Sequence, residues 1–89
     1  MSKAKIYITT FIDINNVGYT PAAVFVDSSK DEAKARMKHE YLKRCEEEQI
    51  ANPFEQGAMH YQLSDDYAYI FGKYYWDIFE KEIGLYCVN

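Results

Sequence analysis

Two histidines, two cysteines and one pair of adjacent acids are the side chains here with the most obvious capacity for chemistry: His39, His60, Cys45, Cys87 and Asp65-Asp66. His60 beside Cys87 or Asp65 would make a dyad in which an imidazole takes a proton from a thiol or is oriented by a carboxylate. The spacing gives that pairing no support. The two histidines lack the HxxxH or HExxH separation that aligns two imidazoles on one helix face. The two cysteines lack CxxC spacing and are too few for a disulfide framework, so the expectation is two reduced thiols. Asp65-Asp66 could ligate a cation, but neighbouring acids in a turn more commonly cap helices or close Asx-turns. The four glycines are scattered and form no phosphate-cradling loop. The reading is therefore of a protein with no catalytic residues, no metal and no cofactor. A small enzyme with a site near His60 is the rival.

The more unusual chemistry is aromatic. Seven of the seventeen residues from Tyr67 to Ile83 are Tyr, Phe or Trp, and aromatics make up 17% of the chain. Such side chains are either core or contact surface, and the elements that carry them decide which. Lys5 to Ile14 alternates, as a strand with two distinct faces does. "NNVGYTP" supplies turn residues, and Ala22 to Val26 is a second strand, close enough to form a hairpin with the first. From Ser29 a helix is expected. Ser29 and Glu32 fit a capping box, Ala33, Met37, Tyr41 and Cys45 recur every four residues, and Leu42 widens the stripe. Glu32, Arg36, Glu40, Arg44 and Glu48 form a ladder of alternating sign beside it, and Asn52-Pro53 ends the helix. Segment 53–63 is a short strand or a lid. "YAYIF" and "YYWDIFEKEI" form the last hairpin, with Gly72 supplying a positive φ at its turn. The expected fold is α+β: an antiparallel sheet of four to five strands with one long helix packed on one face (ββαββ or ββαβββ), in a single domain spanning residues 1–89.

Sorting strand residues by parity yields an aliphatic set and an aromatic set. Ile6, Ile8, Ile12, Ile14, Val24, Val26, Ala68, Ile70, Trp76 and Ile78 form the first, placed under the helix because β-branched residues pack well on a pleated layer. Tyr7, Phe11, Phe25, Tyr67, Tyr69, Phe71, Tyr75 and Phe79 form the second, placed on the open face with Lys5, Thr9, Asp13, Asp77 and Lys81. An apolar patch of that size on a soluble chain marks a contact site. These eight aromatics are the candidate partner-binding or homodimer interface. The alternative is that they serve only as cross-strand pairs that stabilise the sheet.

Charge constrains the partner. The net charge is −4. The helix, residues 30–50, carries six bases and six acids, whereas Glu55 onward carries six acids and two bases. An acidic aromatic surface suits a basic protein, not nucleic acid, whose binding sites are basic grooves; the expected partner is a second copy or such a protein. The run Glu46 to Glu48 opposes the helix dipole and reads as a solubilising surface or a further acidic contact. No apolar run approaches a membrane span, and Met-Ser-Lys-Ala-Lys lacks a signal-peptide core, so no membrane contact and a cytoplasmic location are expected.

"AVFVDSSKDEAKARMKHEYLKRCEEE" and "LSDDYAYIFGKYYWDIFEKEI" together resemble a loose group of small, uncharacterised proteins from Firmicutes, their phages and mobile elements. The likeness rests on Ala23, Phe25, Glu32, Ala33, Met37, Tyr41, Leu63, Ser64, Asp66, Ala68, Trp76 and Ile78. It implies a bacterial or phage origin and an accessory role. By analogy of size and charge it admits an inhibitor of a host defence system, an anti-CRISPR-like mimic of nucleic acid.

Overall fold

The structure, a computed structural model, describes residues 2–85. It is α+β, with five antiparallel strands and one long helix across one face of the sheet. In chain order the elements are β1 (Ser2–Asp13), a one-turn helix α1 (Ile14–Val17), β2 (Pro21–Asp27), the long helix α2 (Lys30–Glu47), β3 (Tyr61–Leu63), β4 (Tyr67–Ile70) and β5 (Tyr74–Leu85). The sheet order is β2-β1-β5-β4-β3. The first and last of these strands therefore lie side by side at its centre, paired from Ser2↔Leu85 to Asp13↔Tyr74.

Both expected hairpins form. Tyr7↔Asp27 to Ile12↔Pro21 joins β1 to β2, with an irregularity between Phe11 and Ile12. Tyr67↔Asp77 to Ile70↔Tyr74 joins β4 to β5 through a turn in which Gly72 has φ +76°. Ile14 does not extend β1. Asp13 caps α1 instead, its carboxylate accepting from the Asn16 backbone and side-chain amides. β2 and β4 cover only part of the central pair. Beyond Tyr7 and Glu80, β1 and β5 continue as a two-stranded ribbon with no neighbour in the described sheet.

Helix α2 starts as the capping residues require, with the Ser29 hydroxyl accepting from the Glu32 amide at 3.1 Å. Its buried stripe is Ala33, Met37, Tyr41 and Cys45, one residue per turn on a single face. The charged ladder does not form along the helix. Arg36 reaches Asp27 on β2 instead, at 2.9 and 3.1 Å. Arg44 lies over the rings of Phe11 and Tyr74, at 5.3 and 4.9 Å from their centroids. α2 also ends before Asn52-Pro53. Gln49 takes φ +59° and the Ile50 amide donates back to the Cys45 carbonyl at 2.9 Å, a left-handed cap that satisfies the last carbonyls. Ile50 then packs against the core. Of the acidic run, Glu48 is held by Lys73 at 2.6 Å and Glu47 by Arg44 at 3.1 Å.

The core lies between α2 and the sheet: Phe11, Met37, Tyr41, Cys45, Ala68, Ile70 and Trp76. Trp76 is its largest member, stacked on Phe11 (5.1 Å between centroids) and edge-on to Tyr41 (6.0 Å). Such aromatic contacts add about 1 kcal/mol each beyond area burial.

Candidate interaction surface

The phase of β1 and β2 is the reverse of the one expected. Phe11 faces Trp76 across β5 and Ala23 across β2, and it is only 9% exposed. The odd residues of β1 therefore lie beneath the helix, with Thr9 and Asp13 buried. Phe25 follows them, with the Arg36 guanidinium 4.9 Å above its ring. Tyr7 points to the same side at the end of the sheet, where its hydroxyl donates to Glu80 at 3.0 Å. That bond stabilises the phenol and raises its pKa. Tyr7, Phe11 and Phe25 are thus not part of the open face. Phe71 sits exposed in the β4–β5 turn.

For β4 and β5 the expected phase holds. Ala68, Ile70 and Trp76 are buried and Ile78 packs against them, so Tyr67, Tyr69, Tyr75 and Phe79 point the other way. Tyr69 stacks between Tyr67 and Tyr75, at 6.4 and 6.3 Å between centroids. Tyr67 and Tyr69 share β4, whereas Tyr69↔Tyr75 is a direct cross-strand pair.

The residues that complete this face are the aliphatic ones assigned to the core: Ile6, Ile8 and Ile12 of β1, Val24 and Val26 of β2. Ile8 stands between Val26 and Phe79 in the register. Val24, Val26 and Phe79 are 56%, 58% and 53% exposed. The open face is an aliphatic half joined to an aromatic half. Only the register reveals this, because the isoleucines of the even parity of β1 read as core.

The acidic character of the face does not survive either. Glu80 turns to the helix side with Tyr7 and Lys5. Asp66 and Asp65 reach across to Lys30 and Lys34 at 2.9 and 3.2 Å, and Glu55 accepts from the Tyr61 hydroxyl. On the open face the charges are Asp77 and Lys81, one of each sign. Neither has an ion-pair partner among the described residues. Burial pushes the Asp77 carboxyl pKa up.

Segment 53–63 is not a lid over this face. The Pro53 carbonyl accepts from the buried Tyr41 hydroxyl at 2.7 Å, Phe54 lies under Lys38, and 61–63 form β3 at the sheet edge. The segment lines a groove of about 570 Å³ on the helix side, with Lys34, Lys38, Glu55 and Asp65 at its rim. Lys34 and Asp65 already pair there, so the rim offers no free cluster of one sign. His39 and His60 are both exposed, on different elements, and Cys87 lies outside the described residues. Cys45 is buried among apolar side chains, which raises its pKa and keeps the thiol protonated. Among the described residues no group of three His, Cys, Asp or Glu could hold a metal ion. No helix among them is long and apolar enough to cross a membrane.

No protein-family model matches the chain, and no curated protein or solved structure is significantly similar to it.

Proposed function

We propose that this protein is an interaction module without catalytic activity, whose open sheet face docks against another polypeptide. The observation that carries the proposal is the face itself. Five aliphatic and four aromatic side chains form one surface, several more than half exposed, with no described segment packed across it. A half-solvated antiparallel sheet ordinarily turns polar residues to water, and contiguous apolar surface of this size belongs to contact sites. Its single acid and single base provide no basic groove, which a single-strand nucleic-acid site requires.

Carbene footprinting in expressing cells, set against the purified chain at high dilution, tests the assignment. Val24, Val26 and Phe79 should be protected in cells, while Tyr19 and Met59, 79% and 83% exposed and off the face, label equally in both samples. Equal labelling of all five positions in cells would remove the proposal.

A further inference from the structure

The face carries a pattern that selects its occupant. Asp77 and Lys81 lie two residues to either side of Phe79 on β5, about 7 Å along the strand in opposite directions. Ile8 is opposite Phe79 on β1, while Thr10 is opposite Asp77 and Ile6 opposite Lys81. The two charges of the face are therefore placed symmetrically about the Phe79–Ile8 pair and opposite in sign, while Tyr67, Tyr69, Tyr75, Ile12 and Val24 lie to its Asp77 side.

We infer that the open face is occupied by a second copy of this chain, packed sheet on sheet about a two-fold axis that crosses the strands at Phe79 and Ile8. The inference rests on the docking role proposed above. A two-fold that brings two sheets face to face must lie in the plane between them, and an isologous contact pairs residue i with j and j with i. An axis along the strands and over β5 would set Asp77 against Asp77 and Lys81 against Lys81. An axis across the strands at Phe79 sets Asp77 of each copy against Lys81 of the other. It also places Phe79 over Phe79, Ile8 over Ile8, and Ile6 over Thr10. Packed sheets are about 10 Å apart, a gap that a lysine and an aspartate reaching from opposite sides can close.

Edge-to-edge pairing of β5 is the competing way for two copies to meet, because β5 has no described strand neighbour on its β4 side beyond Ile78, whose amide donates to the Asp66 carbonyl. An antiparallel match centred on Lys81 would place Glu80 against Glu82 and Lys81 against itself. Like charges directly opposite are destabilising, and charged edges of this kind discourage pairing.

Sedimentation equilibrium of the full chain, with circular dichroism to confirm folding, tests the arrangement through a charge exchange. The unaltered chain should be dimeric at tens of micromolar. Asp77→Lys and Lys81→Asp should each weaken self-association by about tenfold or more. An equimolar mixture of the two variants should recover a dimer, because each then meets the opposite charge on the other. A monomeric unaltered chain at about 100 µM overturns the inference. If Val26 and Phe79 are nevertheless protected in cells, the docking role stands with a different protein as occupant. A dimer indifferent to both substitutions, or a mixture no tighter than its parents, also overturns it.

Discussion

Arg36 grips Asp27 through two hydrogen bonds, 2.9 and 3.1 Å long, fastening the middle of α2 to the end of the edge strand β2. Asp27 is 8% exposed, so its charge depends on this guanidinium, and the bonds hold its pKa below the usual carboxylate range. A carboxyl with a depressed folded pKa contributes stability that is complete above its unfolded pKa, about 4, and is lost as the pH falls through the folded value. Thermal melts should show the Tm falling as the pH drops below about 4. Asp27→Asn should lower the Tm by a few degrees at pH 7 and flatten that acid limb. An unchanged limb in the variant would assign the acid sensitivity to other carboxylates.

Gln49 carries the left-handed cap of α2 at φ +59° and is exposed. Gly adopts that conformation without the steric cost of a Cβ. Gln49→Gly should stabilise the fold by about 0.5–1 kcal/mol, read as a raised urea midpoint at unchanged m-value.

Thr9 is fully buried beneath the helix, and its hydroxyl has no hydrogen-bond partner among the described residues. Desolvating a hydroxyl without a compensating bond costs about 1–3 kcal/mol. Thr9→Val keeps the shape and removes the polar atom, so it should raise stability by about 1 kcal/mol. A loss of that size would show that the hydroxyl is bonded in solution.

Phe11→Ala and Val24→Ala distinguish the two faces of the N-terminal hairpin. Phe11 stacks on Trp76 and Tyr74, and truncating it should cost about 3–5 kcal/mol. Val24 is 56% exposed, and its truncation should change the stability of an isolated chain by less than about 0.5 kcal/mol. Denaturation at low protein concentration keeps the comparison free of any association. The reverse order would restore the opposite phase.

That hairpin shows where the sequence was legible and where it was not. The helix stripe was plain, because Ala33, Met37, Tyr41 and Cys45 are separated from charged neighbours at helical spacing. The phase of β4 and β5 was legible because Trp76 and Ala68 alternate with tyrosines and with Asp77. In β1 the signal pointed the wrong way. Thr9 and Asp13 made the odd parity look solvated, yet one is buried without a partner and the other caps α1. Four isoleucines made the even parity look like core. What sets the true phase is the pairing Phe11↔Trp76, a long-range relation that periodicity within β1 does not contain. The one-turn helix α1 is hidden in the sequence for a related reason. Its only local mark is Asp13 three residues before Asn16, and the alternation running into Ile14 masked it. Alternation within β4 and β5 marks the aromatic half of the open face, whereas its aliphatic half reads as core.

The pairing of β1 with β5 at the centre of the sheet also governs how the chain must fold. During synthesis β1 emerges before the other described elements, with Ile6, Ile8, Phe11 and Ile12 all apolar, and β2 and α2 follow while its other neighbour is still unmade. Closing the central pair means joining strands that bracket every other described element, and such non-local contacts slow folding. The nascent chain therefore holds an unpaired, largely apolar strand edge until β5 leaves the ribosome, a template for unwanted association in that interval. A chain truncated before Tyr74 would keep this edge permanently.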